Sequence, residues 1–304
     1  MPIIDVHGHL GDILYHQGGH LIYRKGIPMP SGFDIVSYNE SMLQRSFGIG
    51  DKLYPLVKGW ATRVERARNF AATLENMSQS LDDMNIDYAV CLPIAPYVSY
   101  RDLAEARRRD GRILPFTSID FALGSGAVKQ VREDIEDGAM GLKLHPIIQA
   151  RSLNDPLVHA TLEAIEEYGV PVLTHAGVSH YYLGREAARS KPENGDIPAV
   201  EALIKAFPHI KFIVGHAGLF QVKDVIRRLG NQSNVWVDTS FQPPEMISRL
   251  IDVFGDTRVM YGSDWPYGYR PPAFKAAKVA CKNDSALEHK VFYENAAKLL
   301  GMVR

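Results

Sequence analysis

Eight short runs rich in branched and aromatic residues recur along the chain, with longer segments of helical periodicity between or after most of them. The runs are PIIDVHGH (2–9), IDYAVCLP (86–93), ILPFTSID (113–120), GLKLHP (141–146), PVLTHAG (171–177), KFIVGHAG (211–218), VWVDTSF (235–241) and VMYGSDWP (259–266). Among the helical segments are AVKQVREDIEDG, DPLVHATLEAIEEYG, IPAVEALIKAFP, LFQVKDVIRRLG and PPEMISRLIDVFG, several with Pro near the start and Gly just past the end. PPAFKAAKVACK and SALEHKVFYENAAKLLG follow the last run. Parallel strands need crossover connections, so eight strand-then-helix units in order predict a closed α/β architecture, the (β/α)8 TIM barrel. An open doubly wound sheet is the competing arrangement, and its GxGxxG fingerprint is absent after the first strand. At 304 residues the chain suits one such barrel, so 1–304 reads as a single domain.

One stretch departs from the repeat. Residues 10–64, rich in Gly, Pro and aromatics, separate the first strand from its helix. A loop this long usually carries function or small elements of its own. We read it as a lid over the barrel mouth, with a packing or dimer-contact excursion as the equal alternative. Charge narrows the partners. With 34 Lys+Arg against 35 Asp+Glu and no basic run, neither nucleic acid nor a membrane surface is an expected partner. Cys91 and Cys281 stand in no CxxC spacing, which points away from a disulfide framework or thiolate metal site and towards a reducing cytoplasm. The first strand begins at about residue 2, so no leader is expected, and no apolar run of roughly 20 residues occurs.

Polar residues gather where the strands end. Alternate strand residues share a face, so His7 lies with His9, Lys143 with His145, and His175, His216 and Asp264 each take the parity of the residue two before. All fall at C-terminal strand ends, the barrel face on which active sites are built. A lone histidine there is more often a hydrogen-bonded core residue, but four strands ending this way point to one metal centre. His7, His9, His175 and Asp264 offer three imidazoles and a carboxylate, a set suited to Zn²⁺, with Mn²⁺ or Fe²⁺ as alternatives. A bound water would then have its pKa lowered towards about 7. Asp5 shares the parity of His7 and would orient a ligand, or else form a buried salt bridge. Gly8 would leave room for the outer helix layer.

The stretches IDVHGHL, GLKLHP, VLTHAG, IVGHAG and YGSDWP, in this order and with a closing ENAAKLLGM, resemble the amidohydrolase superfamily. Within it they look most like amidohydrolase family two, the branch of aminocarboxymuconate semialdehyde decarboxylase. The resemblance runs from residue 2 to 301 and is weak over 10–64. It implies a metal held by His7, His9, His175 and Asp264, with His216 as a nearby acid/base or electrophilic group. The reaction implied is hydrolysis by a metal-activated water, or decarboxylation of a metal-bound substrate, in both cases with Asp264 and His216 managing protons. The substrate would be a small carboxylated compound, cyclic or aromatic in many such enzymes, and the assembly a homodimer.

Lys143 divides the readings. In binuclear members of the superfamily a lysine at this strand end is carboxylated and bridges two metals, and His175 and His216 would then bind the second ion. That version would hydrolyse amides or lactones. With one ion, the favoured reading, Lys143 is a cation for a substrate carboxylate or the partner of an acid such as Asp5. His145 would touch substrate or cap its loop. Arg151, Arg185 and Arg270 are candidate carboxylate clamps, and Trp265, His180 and Tyr181 candidate walls of the mouth. His16 and His20 are expected to be exposed. Whether Asp238 and Ser240 or Thr239 face inward is left open. A TatD-type nuclease also opens with HxH, but has a metal-binding acid where Lys143 stands. A non-catalytic metal protein would not need the Asp264 and His216 pair.

Overall fold

The computed structural model describes residues 1–30, 36–37 and 50–303. Eight barrel strands form in chain order: β1 (Ile4–Gly8), β2 (Tyr88–Cys91), β3, split into Ile113–Pro115 and Thr117–Ser118, β4 (Leu142–Leu144), β5 (Val172–Thr174), β6 (Phe212–Val214), β7 (Val235–Asp238) and β8 (Val259–Met260). Each pairs in parallel with the next. At the split in β3, the Phe116 N–H still donates to Cys91 O at 3.0 Å. The ring closes from last strand to first. Val6 N donates to Tyr261 O at 3.0 Å, Asp264 N to His7 O at 2.8 Å and His9 N to Trp265 O at 2.7 Å.

The crossovers are helices with readable ends. Those relevant here are α1 (Gly50–Asn69), α2 (Leu74–Met84), α3 (Tyr100–Arg109), α4 (Gly126–Glu136), α5 (Pro156–Ile165), α6 (Ile197–Ala206), α7 (Val222–Leu229), α8 (Pro244–Phe254) and α9 (Arg270–Ala280). Ser99 and Asp102 cap α3 reciprocally, and Asp155 caps α5 ahead of Pro156. After α9 the chain ends in one continuous helical run, α10 (Ser285–His289), a π turn (Lys290–Glu294) and α11 (Asn295–Leu299).

Inside the barrel, Ile4, Val6, Leu114, Phe116, Leu173, Ile213 and Met260 pack together, and Ala296, Ala297 and Leu299 of α11 join them. A second layer lies between strands and helices, with Leu142, Leu144, Val172, Phe212 and Val235 against α4 to α7. Burying each of these large side chains stabilises the fold by about 1.5–3 kcal/mol. The apolar layer therefore fills one end of the barrel, and the polar residues occupy the other.

Three expectations about the first strand and its insertion need correction. The β1–β2 register shifts between Asp5 and Gly8, so Asp5 does not share the face of His7. Its carboxylate instead receives Arg270 Nε at 2.9 Å and Ser263 Oγ at 2.6 Å, in the layer beneath α2 and α9. Gly8 is not required by space, since an added Cβ would meet Met77, Val90 O and Trp265 O at 3.5–3.6 Å. The insertion does not stop at 64: that residue lies inside the 20-residue helix α1, and the barrel helix proper is α2. Residues 31–35 and 38–49 of the expected lid lie outside the described residues. Among the described residues no helix is long and apolar enough to cross a membrane.

Candidate metal centre

The strands stop short of the chemistry. β5 ends at Thr174, one residue before His175, β6 at Val214 and β8 at Met260. His216 and Asp264 then take positive φ, 56° and 59°, which turns both off the strand track. Such a backbone costs on the order of 1–3 kcal/mol and persists only where surrounding bonds hold it. Here the His216 N–H is held by Asp238 Oδ2 at 3.0 Å, and Asp264 N by His7 O.

Hydrogen bonds set the ring tautomers. His9 Nδ1 meets Leu92 O at 2.8 Å, and a carbonyl only accepts, so the proton sits on Nδ1 and the Nε2 lone pair is free. His7 Nδ1 likewise donates to Asp238 Oδ2 at 2.8 Å. His175 is reversed: its Nε2 donates to Gly177 O at 3.0 Å, leaving Nδ1 buried without a partner. The lone pairs of His9 and His7 then face Asp264 Oδ1 at 3.3 and 3.5 Å, an oxygen that is itself buried and unpartnered. Acceptors converging on an acceptor repel unless a proton or a cation lies among them. The donor set fits a divalent ion, and His7, His9 and Asp264 have ligand atoms within 4.8 Å of one another. A second such group, His7, His216 and Asp238, is less suited because both Asp238 oxygens already accept hydrogen bonds. His175 belongs to neither group; its ring stacks on His145 with centroids 4.3 Å apart and lies 5.1 Å from His216.

Burial dominates the electrostatics. It holds His9 and His175 down to about 3 and His7, His145 and His216 well below the usual histidine range, with the Lys143 charge adding to each. Burial thus favours the neutral form of all five rings, the form a metal ligand needs. Burial also raises Asp264 well above the carboxylate range, against the pull of Lys143, and lowers Lys143 to about 8, against Asp264 and Asp238. Lys143 Nζ lies 3.4 Å from His7 Nε2.

The amidohydrolase family model matches residues 4–302. The chain belongs to the amidohydrolase family. As a member of this family it is an enzyme. No curated protein matches it. Its fold is similar to 5-carboxyvanillate decarboxylase from Novosphingobium aromaticivorans, complexed with manganese and 4-hydroxy-3-methoxy-5-nitrobenzoic acid, at 16% identity and TM-score 0.66 over 99% of this chain and 96% of that one. It is also similar to 2,6-dihydroxybenzoate decarboxylase from Rhizobium, at 15% identity and TM-score 0.63 over 99% of each chain. A third is a probable 2-pyrone-4,6-dicarboxylic acid hydrolase from Acinetobacter baumannii with citric acid bound, at 15% identity and TM-score 0.59 over 99% and 100%. At these identities the likeness shows the fold, a TIM barrel.

In this amidohydrolase His7, His9, Lys143, His175, His216 and Asp264 come together, with His145 beside His175. Tyr181 packs edge-on to His145 at 5.2 Å, and the His180 carbonyl accepts from Thr62 Oγ of α1 at 3.1 Å. Trp265 is buried beside Arg270, whose guanidinium sits 5.2 Å from its ring. Arg270 thus belongs to the Asp5 pair, not to the mouth. Arg151 is exposed, 3.8 Å from Asp155 and over the Phe121 ring, and Arg185 is exposed on the β5 loop. His16 and His20 are both exposed as expected, His16 with its ring 6.1 Å from that of Tyr97. Asp238 and Ser240 face inward, a question the alternation left open. Glu65 of α1 was not anticipated: burial, with Asp264 adding to it, raises its carboxyl to about 8. Its position within the insertion carries no strand or motif signal.

Proposed function

We propose that this amidohydrolase removes the carboxylate of a small cyclic or aromatic acid as CO₂, using one divalent ion, Zn²⁺, Mn²⁺ or Fe²⁺, held by His7, His9, His175 and Asp264. The observation that carries the reading is a cluster of acceptors: His9 Nε2 and His7 Nε2 lie 3.3 and 3.5 Å from Asp264 Oδ1, and that oxygen and His175 Nδ1 are both buried without a hydrogen-bond partner. The ion would supply a Lewis-acid charge for the acid's oxygens. Lys143, buried with its Nζ 3.4 Å from His7 Nε2, adds positive charge where a substrate carboxylate would lie. When CO₂ leaves, the carbon takes a proton that the Asp264 and His216 pair, whose Oδ2 and Nε2 are 3.9 Å apart, would first have accepted from the substrate or from water. The nitrobenzoic acid bound in the 5-carboxyvanillate decarboxylase structure, and the substrate named for the 2,6-dihydroxybenzoate decarboxylase, support this choice of substrate class.

We also assign residues 10–64, carried on to the end of α1, a capping role within one barrel domain. Arg189 of the β5 loop reaches Leu14 O at 3.1 Å, Tyr182 OH donates to the same oxygen at 2.9 Å, and Arg66 of α1 pairs with Glu186 at 3.4 Å. A homodimer and a cytoplasmic setting complete the proposal, the latter supported by two buried free cysteines. His145, Arg151, Arg185 and Trp265 remain substrate-contact candidates, Arg151 and Arg185 by movement of their exposed side chains.

A panel of hydroxylated and dicarboxylic ring acids tests the reaction. CO₂ release that disappears on chelation and returns with Mn²⁺ or Zn²⁺ is the expected result. Incorporation of ¹⁸O from water without CO₂ would replace decarboxylation by hydrolysis. Two ions per chain with a carbamate on Lys143 would replace the mononuclear site by a binuclear one. A chain that binds no metal and is unaffected by His175→Ala would end the metal-enzyme reading.

A further inference from the structure

Asp238 sits at the end of β7 with no exposed surface, and both of its oxygens are occupied. Oδ2 accepts the His216 backbone N–H at 3.0 Å and His7 Nδ1 at 2.8 Å. Oδ1 accepts the Ser240 backbone N–H at 3.0 Å and also the Ser240 hydroxyl. The Ser240 hydroxyl has one proton, and it is given to Asp238. Towards His216 Nδ1, 2.7 Å away, Ser240 Oγ can therefore only accept. The proton of His216 is thereby fixed on Nδ1, and its Nε2 lone pair is turned to Asp264.

We infer that Asp238 and Ser240 form a single positioning device that fixes the tautomers of two histidines at once, His7 directly and His216 through the Ser240 hydroxyl. Both rings then present Nε2 lone pairs to the centre, His7 as a ligand and His216 as a proton acceptor in the resting enzyme. Through this device one carboxylate couples the ligand side of the centre to its proton-handling side. Ser240 is the branch that serves His216 alone, and this separates the two tasks experimentally. The inference refines the proposed function, but its geometry does not depend on which reaction is catalysed.

The test uses the full chain with ¹⁵N-labelled histidine and reads ring tautomers by long-range ¹H–¹⁵N spectra, without substrate. In the metal-free wild type, His7 and His216 are expected as Nδ1–H tautomers. Ser240→Ala should release His216 into a mixture with Nε2–H while leaving His7 unchanged, and Ser240→Thr should restore it. Titration with Zn²⁺ alone gives a second readout: Ser240→Ala should bind within about threefold of wild type, and Asp238→Asn about 10–100-fold more weakly. A His216 that keeps its tautomer in Ser240→Ala, or a Ser240→Ala chain that loses as much Zn²⁺ affinity as Asp238→Asn, overturns the device. Should Asp238→Asn fail to fold, the Ala and Thr variants at Ser240 still decide it. Because neither readout involves turnover, the device can fail while the decarboxylase proposal stands, and the reverse.

Discussion

The β1–β7 side of the barrel mouth and the β5 side are built on opposite plans. On the first, Asp238 holds His7 and Ser240 at the mouth, Asp5 holds Arg270 and Ser263 in the layer behind β1, and the rings are fixed before any ligand arrives. On the second, His175 is tied only through Gly177 O and Ser179, and its inner nitrogen has no partner. One side spends its polar groups on order, and the other keeps a donor in reserve. A site that must be both rigid and reactive is divided here by strand rather than by residue type.

That contrast can be broken by substitution. The largest effect is expected at Asp5, where Asp5→Ala leaves the Arg270 guanidinium buried without its anion and should cost about 3–5 kcal/mol in urea unfolding. A loss under ~1 kcal/mol would show that the β1 side is not held together by this pair. His175→Ala should do the reverse, weakening metal binding about 10–100-fold by elemental analysis and competition, with little change in metal-free stability. Equal losses in both assays would erase the distinction between the two sides.

Glu65 sharpens it further. Its carboxyl is raised to about 8 in the fold from an ordinary 4.5, chiefly by burial and then by Asp264. The folded chain therefore holds this proton after the unfolded chain has released it. Stability of the metal-free wild type relative to Glu65→Gln should fall as pH rises from about 4.5 to 8, then level off. A difference that stays flat across this window would place Glu65 in open water. The smallest effect belongs to Gly8→Ala, expected within about 1 kcal/mol of wild type because the new methyl meets only ordinary contacts. A loss of several kcal/mol would revive the crowding argument for that glycine.

How much of this was legible depended on whether a residue's role lay on a strand or past it. Eight strands and their crossover helices read well from periodicity, and HxH with two further strand-end histidines pointed to the right end of the barrel. Parity misjudged Asp5, because a register shift between Asp5 and Gly8 is invisible to alternation. Parity also reached His216 and Asp264 for an incomplete reason, since positive φ after the strand is what aims them. Asp238 ends β7 and Ser240 lies two residues past it, in a run whose inward face alternation could not choose. Glu65 was silent because α1 belongs to the insertion, where no barrel rule applies.

The bonds that close the ring have a temporal meaning as well. His7 O receives Asp264 N, and Trp265 O receives His9 N, so the two ligand-bearing segments at opposite ends of the chain complete each other. More than 250 residues separate them in sequence. On a ribosome, the HxH strand emerges early and then waits for nearly the whole polypeptide before its partner exists. Contacts this distant form late and slowly. Metal loading would accordingly be an event of the finished chain, and truncation anywhere before Asp264 should remove one ligand and leave the others unassembled.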